Sequence, residues 1–177
     1  MKESLLKEIT NTAREFESLS AEYGEIYVTA ESLTAGFIGA SIVEIPGSSG
    51  WFDRGFITYS NESKMELLEV KEDTLKSVGA VSEETAVQMV EGALKHSSLA
   101  TIGVSVTGIA GPDGGSEQKP VGTVWMGLMK KGKKAYAHCF HFKGDREEIR
   151  LQTTLMALKG LKALTMNKDP ESILNAQ

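Results

Sequence analysis

The spacing of apolar residues along the chain alternates between helical and extended patterns. Residues 3–22 repeat apolar side chains every three to four positions, which predicts an amphipathic opening helix that ends at Gly24. Residues 25–30 have the pattern of a short strand, and residues 34–44 that of a second helix. The chain is therefore predicted to begin helix, strand, helix, with a turn at residues 31–33.

Further strands follow, and the last two are consecutive. Residues 55–60 are rich in aromatic and β-branched side chains, as strands are. Residues 100–107 form a nearly continuous apolar run, which is typical of a central strand covered on both faces. Residues 122–129 and 134–142 predict a β-hairpin across Gly132.

Helical patterns separate these strands and close the chain. A short helix carries Lys64, a longer one begins after Ser82, and a last helix runs from a capping-box-like start at Asp145 and Glu148 to about Leu164. Helices that alternate with strands and then give way to a hairpin predict a three-layer α/β/α domain with a mixed sheet.

Length and composition fit one soluble domain. The chain has 177 residues, of which 41% are hydrophobic and 24% charged, so it can bury a sizeable core. We expect a single domain over residues 1–165 and a loose tail over residues 166–177. The apolar runs are far shorter than the roughly 20 residues of a membrane span, and the N-terminus carries acids, so we expect a cytoplasmic protein with no membrane partner.

Charge and metal-ligand patterns narrow the function classes further. The net charge is −5, and the one basic block, residues 130–134, is better explained as the hairpin turn, so no nucleic-acid partner is expected. The single cysteine, Cys139, excludes an internal disulfide and a thiolate zinc cage. His138 and His141 would point to opposite faces of a strand, so no metal site is expected.

Three segments mix glycine with hydroxyl or amine side chains at predicted strand ends: residues 30–36, 46–64 and 104–125. Ligands of α/β folds bind at the carboxyl ends of strands, so we expect these segments to form a site. Ser32 and Thr34 lie at a strand-to-helix turn, where free N–H groups favour an anion or a developing oxyanion. The alternative is that either residue only caps the helix.

Three cationic side chains are candidates for chemistry or binding. Lys64 lies in the first turn of its helix, where the dipole and partial burial would lower its pKa and make it a general base; the alternative is a solvated surface lysine. Arg146 and Arg150 share a face of the last helix and suit a phosphate. For them the alternative is pairing with Glu147, with Glu148 or with the rim of the core.

The glycine-rich residues 108–115 (GIAGPDGG) end the most apolar strand and could present backbone N–H groups to a phosphate. They match neither of the common nucleotide-binding glycine patterns, GxxxxGK[ST] and GxGxxG, and neither occurs elsewhere in the chain. The alternative is a merely flexible loop.

Several short segments are found in the same order in one known family. They are AESLTAG (30–36), GSSGWF (47–52), RGFITYSN (54–61), Lys64, GAVS (79–82), TGIAGPDGG (107–115) and KPVGTV (119–124). Together they resemble the CinA C-terminal domain family, whose bacterial members include nicotinamide-nucleotide amidohydrolases. The family commonly has Glu-Ser-Cys-Thr-Gly-Gly in the first segment, where this chain has Leu33 and Ala35.

The resemblance implies hydrolysis of the carboxamide of nicotinamide mononucleotide, a small-molecule partner, without a metal or organic cofactor. The family's serine and lysine dyad maps onto Ser32 and Lys64, so that Ser32 would be acylated and Lys64 would be the base. A non-catalytic nucleotide-sensing or partner-binding domain is the alternative.

The remaining site residues are expected around that dyad. The oxyanion would be held by backbone N–H groups near Thr34 and Gly36, or by Thr107 and Gly108, and Tyr59 would tune Lys64 by hydrogen bonding. The phosphate would be bound by the glycine-rich loop, with Gly111 and Gly114, and by either Arg146 or Arg150. The pyridinium ring would lie against Phe52 or Trp51.

A homodimer is also expected. The aromatic side chains of Trp51 and Phe52, taken as exposed, would reach the site of a neighbouring copy.

Overall fold

The computed structural model describes residues 1–175. Within that range the chain forms five strands: β1 (Tyr27–Glu31), β2 (Phe52–Ile57), β3 (Ile102–Gly108), β4 (Thr123–Lys130) and β5 (Tyr136–His141). The helices are α1 (Lys2–Tyr23), α2 (Phe37–Val43), α3 (Asn61–Leu68), α4 (Glu72–Ser77), α5 (Glu83–Lys95), α6 (Arg146–Thr165) and α7 (Glu171–Leu174), and Ser48–Gly50 form a 3-10 turn.

The strands form one mixed sheet in the order β2-β1-β3-β4-β5. β1 is parallel to both of its neighbours, with Glu31 opposite Ile57 of β2 and opposite Val106 of β3. β4 and β5 are antiparallel and form the predicted hairpin, in which Gly132 has a φ of +79°. The carboxyl ends of β1, β2 and β3 therefore meet at one edge of the sheet.

Each face of the sheet carries its own apolar core. One core joins α1, α2 and α6 to the sheet, and its fully buried members include Phe16, Tyr27 and Ile38. The other joins α5 and the end of α3 to the alternate side chains of β1, Val28 and Ala30. The predicted three-layer α/β/α architecture is confirmed.

Several helix ends follow the predicted chemistry. Gly24 ends α1 in a left-handed conformation, with a φ of +68°. The Ser82 side chain caps α5 by accepting from the Thr85 N–H. At the start of α6 the Glu148 N–H donates to Asp145, and the Asp145 N–H donates to the Glu148 carboxylate, which is the predicted capping box.

The C-terminal segment differs from the loose tail that the sequence predicts. Helix α7 lies within it, and the Leu174 side chain is buried in the core beside α6. Residues 176 and 177 lie outside the described part of the chain. No helix formed by residues 1–175 is both long and apolar enough to cross a membrane.

Candidate active site

Two consecutive turns meet at the carboxyl edge of the sheet. Ser32 follows β1, and Thr58 and Tyr59 follow β2, whose strand is parallel and adjacent. β2 begins and ends about three residues earlier than the sequence pattern predicts, so Thr58 and Tyr59 belong to the turn. The Thr58 N–H still donates to the Glu31 carbonyl, which holds the two turns side by side.

Lys64 reaches back from α3 into the space between these turns. The Ser60 side chain caps α3 by accepting from the Ser63 N–H, and Lys64 follows within the first turn. Its side chain is only 1% exposed. Lys64 Nζ lies 2.7 Å from the Thr58 carbonyl oxygen, 3.2 Å from the Tyr59 carbonyl oxygen and 3.1 Å from Ser32 Oγ.

Burial changes the protonation of this amine. It lowers the pKa of Lys64 from 10.5 to about 8, and within residues 1–175 no carboxylate pairs with it. A neutral amine has two N–H donors and one lone pair. The two carbonyls can accept the two N–H bonds, which leaves the lone pair for the Ser32 hydroxyl proton. Lys64 is therefore not the solvated surface lysine considered as the alternative.

Glu31, the last residue of β1, is a buried carboxylate that the sequence reasoning did not single out. Its side chain is fully buried and accepts five hydrogen bonds at 2.7–3.1 Å. The donors are the Thr29 and Thr34 hydroxyls and the N–H groups of Gly36, Ile38 and Gly39. An ionisable residue at the end of an otherwise uncharged strand was the signal available in the sequence.

This carboxylate limits which groups of the expected oxyanion site are free. The Gly36 N–H and the Thr34 hydroxyl both donate to Glu31, so neither is available to a substrate oxygen. By contrast, the backbone N–H groups of Leu33 and Thr34 have no acceptor among the described residues. The nearest unpaired backbone donors along the chain from Ser32 are therefore those of the next two residues.

The turn after Ser32 is tightly wound. Ala35 and Gly36 both have positive φ values, +50° and +94°. Ala35, which replaces a glycine common in the family, therefore adopts a left-handed conformation that costs an alanine about 1–2 kcal/mol. Leu33, at the position where the family commonly has cysteine, is buried in the core.

Tyr59 and Arg146 occupy the rim of the site. The Tyr59 side chain is 64% exposed, and the hydrogen bond between Tyr59 and Lys64 is made by the Tyr59 backbone carbonyl. Arg146 Nη1 donates to the Gly111 carbonyl at 2.7 Å, and Nη2 lies 3.4 Å from the Tyr59 hydroxyl. Arg146 thus connects the glycine-rich loop to the turn after β2.

Arg150 has a structural contact that the sequence did not indicate. Its Nε donates to the Leu33 carbonyl at 2.8 Å, and its Nη2 donates to the Thr34 carbonyl at 3.3 Å. It pairs with neither Glu147 nor Glu148 among the ion pairs of the described residues. Arg150 therefore stabilises the turn after Ser32 through two of its carbonyls, whereas Arg146 contacts the glycine-rich loop.

The glycine-rich loop follows β3 and folds against the start of β4. A Cβ added at Gly108 would lie 2.6 Å from Val124 Cγ2, and one added at Gly111 would lie 2.6 Å from Val121 Cγ1. These two glycines are thus required by close packing, whatever the loop binds. Gly114 is exposed and has a φ of +89°. The neighbouring Thr107 hydroxyl donates to the Ala80 carbonyl at 2.8 Å.

The two aromatic residues expected at the pyridinium ring lie elsewhere in this chain. Phe52 begins β2, at the opposite end of the strand from Thr58, and packs against the core. Trp51 is buried against Phe16 and Tyr27. Neither residue is near Ser32 and Lys64 within one chain. The exposed aromatic loop on which the homodimer was predicted does not exist, although the homodimer itself stays a prediction.

The histidine and cysteine residues of β5 follow the predicted strand alternation. Cys139 Sγ lies 3.9 Å from His141 Nε2 on one face, whereas His138 stacks on Tyr136 and meets Phe140 on the other. Across residues 1–175, no group of three or more histidine, cysteine, aspartate or glutamate side chains is placed to hold a metal ion.

The sequence model of the CinA C-terminal domain matches residues 9–165. The chain belongs to the CinA C-terminal domain family. This confirms the resemblance noted in the sequence, and the matched residues include Ser32, Lys64, the glycine-rich loop and Arg146.

Relatives from this family cover most of the chain. It is 53% identical over 130 residues to the nicotinamide-nucleotide amidohydrolase PncC of Enterobacter agglomerans, covering 73% of this chain and 79% of that protein. It is 49% identical over 138 residues to PncC of Escherichia coli K12, covering 78% of this chain and 83% of that protein. The crystal structure of competence/damage inducible protein CihA from Agrobacterium tumefaciens superposes with a TM-score of 0.86 at 44% identity, covering 89% of this chain and 95% of that one.

Proposed function

We propose that this protein hydrolyses the carboxamide of nicotinamide mononucleotide to nicotinate mononucleotide and ammonia, with Ser32 as nucleophile and Lys64 as base. The observation that carries the proposal is the surroundings of Lys64 Nζ. Two backbone carbonyls and Ser32 Oγ lie within 3.2 Å of a buried amine whose pKa is about 8. The similarity to two proteins named nicotinamide-nucleotide amidohydrolase supports the choice of substrate.

The reaction would proceed in two halves through an ester of Ser32. Neutral Lys64 takes the hydroxyl proton as Ser32 Oγ attacks the carboxamide carbon, which forms a tetrahedral oxyanion. The C–N bond then breaks, and Lys64 returns the proton to the departing nitrogen, which leaves as ammonia. In the second half Lys64 takes a proton from water, whose oxygen attacks the ester carbon. The C–Oγ bond breaks, and Ser32 recovers its proton from Lys64.

The groups around the dyad support assignments for the rest of the substrate. The unpaired N–H groups of Leu33 and Thr34 would stabilise the oxyanion, because preorganised donors act most strongly where charge develops. The Arg146 guanidinium, at the rim beside Gly111, would bind the phosphate, since one guanidinium group can donate two parallel hydrogen bonds to phosphate oxygens. Arg150 would have no direct part in binding, because it is partly buried against the Leu33 and Thr34 carbonyls, whereas Arg146 is exposed.

The experiment is release of ammonia from nicotinamide mononucleotide by purified protein. Wild-type protein is expected to release ammonia, and Ser32→Ala and Lys64→Met are each expected to lower the rate by at least about 10⁴-fold, since the two residues act as one unit. Matched controls lie at the other end of the sheet. Ser48 is buried to the same extent as Ser32, and Lys130 is paired with Glu25, so Ser48→Ala and Lys130→Met should stay near the wild-type rate.

Two results would contradict the proposal. Turnover within tenfold of wild type in folded Ser32→Ala or Lys64→Met would exclude the dyad. Binding of nicotinamide mononucleotide by wild-type protein without ammonia release would favour the nucleotide-sensing alternative. The homodimer and the cytoplasmic location stay predictions.

A further inference from the structure

The Glu31 carboxylate is buried without any cation to pair with it. Among the ion pairs of the described residues none involves Glu31, although its side chain has no solvent exposure. A buried charge is unfavourable unless hydrogen bonds replace its lost water. Here Oε1 accepts from two donors and Oε2 from three, so hydrogen bonds within the protein replace the water that the carboxylate loses on burial.

The donors lie on both sides of Ser32 in the chain. Thr29 is in β1 before the turn, Thr34 is inside the turn, and the remaining N–H donors belong to the start of α2. One side chain therefore ties the strand, the turn and the helix together around the nucleophile. Glu31 makes no hydrogen bond to Ser32 Oγ or Lys64 Nζ, so any effect on the chemistry passes through the backbone.

The same contacts decide which backbone donors remain free. The first N–H groups of a helix have no partner within the helix, and Glu31 accepts from those of Ile38 and Gly39. The carboxylate fills this position and leaves the Leu33 and Thr34 N–H groups unpaired next to Ser32.

We propose that Glu31 is a positioning residue for the amidohydrolase reaction. Its carboxylate fixes the turn so that the Ser32 hydroxyl meets Lys64 and the next two backbone N–H groups face the substrate. This inference rests on the proposed function, because it assigns Glu31 a part in the reaction described above.

The test compares Glu31→Gln with Glu25→Gln. Glutamine has the same size, but it places an NH₂ group against donors that need an acceptor. Glu25 lies at the other end of β1, where its carboxylate pairs with Lys130 and accepts from Thr101, so it is a matched control. Steady-state kinetics with nicotinamide mononucleotide give kcat and KM for each.

A displaced turn should affect catalysis more than binding. Glu31→Gln is expected to lower kcat by at least about 30-fold with KM within about threefold, because a misplacement near 1 Å can cost about 100-fold. Glu25→Gln should stay within about twofold in both. A folded Glu31→Gln protein with kcat within about threefold of wild type would overturn the proposal. So would a loss confined to KM.

A second measurement needs no substrate. Hydrogen exchange of the Gly36, Ile38 and Gly39 amides should be slow in wild-type protein and at least about tenfold faster in Glu31→Gln, while Glu25→Gln leaves it unchanged. Unchanged exchange in Glu31→Gln would overturn the positioning role even if wild-type protein does not hydrolyse this substrate. Accelerated exchange in a protein that releases no ammonia would contradict the proposed function alone.

A further pair of variants keeps the test decisive if Glu31→Gln does not fold. Thr34→Val removes one donor to the carboxylate, and Thr34→Ser restores it. We expect Thr34→Val to lower kcat by about tenfold and Thr34→Ser to recover most of that loss, with KM steady in both. Equal kcat values for the two variants would overturn the proposal.

Discussion

At the scale of single residues, the protonation of one buried amine sets the pH range in which the site can work. Lys64 accepts a proton only when it is neutral, and burial lowers its pKa to about 8. Below that pH the amine is charged and the base is lost; above it the base is present. The direction of the effect follows from the need for a neutral amine, and the lowered pKa places the change near pH 8.

The corresponding prediction concerns the pH profile of kcat/KM, which reports ionisations of the free enzyme. We expect kcat/KM to rise about tenfold per pH unit below an inflection near pH 8 and to level off above it. Lys64→Arg, which stays charged throughout, should show no such rise, because arginine does not release its proton. An inflection above pH 10, as for an ordinary lysine, would contradict burial as the source of the base.

At the scale of elements, the position of α3 depends on a close contact with α5. Gly92 of α5 lies against the Leu68 carbonyl at the end of α3, and an added Cβ would overlap that carbonyl. The two helices meet on the face of the sheet that also contains Val28 and Ala30. Because α3 carries Lys64, this contact sets how far Lys64 reaches toward Ser32.

Gly92→Ala should therefore change both stability and activity. We expect the free energy of unfolding to fall by about 3 kcal/mol, since overpacking against backbone cannot relax by a rotamer change. We also expect kcat to fall with it as α3 moves. Gly50→Ala is the control, because a Cβ there meets nothing within 4 Å, and it should change stability by less than about 0.5 kcal/mol. Equal unfolding midpoints for the two variants in denaturant would contradict the tight contact.

Sequence patterns could predict the elements better than the contacts at the site. Periodicity predicts α1, β3 and the hairpin because each buries a regular stripe of side chains, and the Asp145 and Glu148 pair predicts its capping box from local spacing. The resemblance to the family indicated that Ser32 and Lys64 meet. That pairing needs the parallel register of β1 and β2, which periodicity alone does not give.

The errors have a common physical origin. The Gly36 N–H was among the donors expected near a substrate oxygen, but Glu31 accepts from it, and the Thr34 N–H alone of the expected pair stays unpaired. Arg150 was grouped with Arg146 because four residues separate them on a helix, yet it turns to the Leu33 carbonyl. In each case a hydrogen bond that the spacing of apolar residues does not show had already used the group: a local bond to Glu31, and a tertiary bond to Leu33.

At the scale of the whole molecule, the fold brings three parallel strand ends and the start of α6 to one edge. Ser32 comes from the first strand, the carbonyls that hold Lys64 follow the second, and Gly111 follows the third. Arg146 closes the group from α6. The opposite edge contains Trp51, Phe52 and the Glu25–Lys130 pair, which serve the core and the sheet. The residues of the candidate site thus lie at the carboxyl ends of the parallel strands, where open α/β sheets generally bind their ligands.

The most direct measurement is the mass of the protein after rapid acid quenching of a reaction with nicotinamide mononucleotide. The dyad predicts a covalent adduct equal to the substrate minus ammonia, located on the peptide that contains Ser32 and missing from Ser32→Ala. An adduct on a peptide without Ser32, or undiminished ammonia release by Ser32→Ala, would contradict the Ser32–Lys64 mechanism.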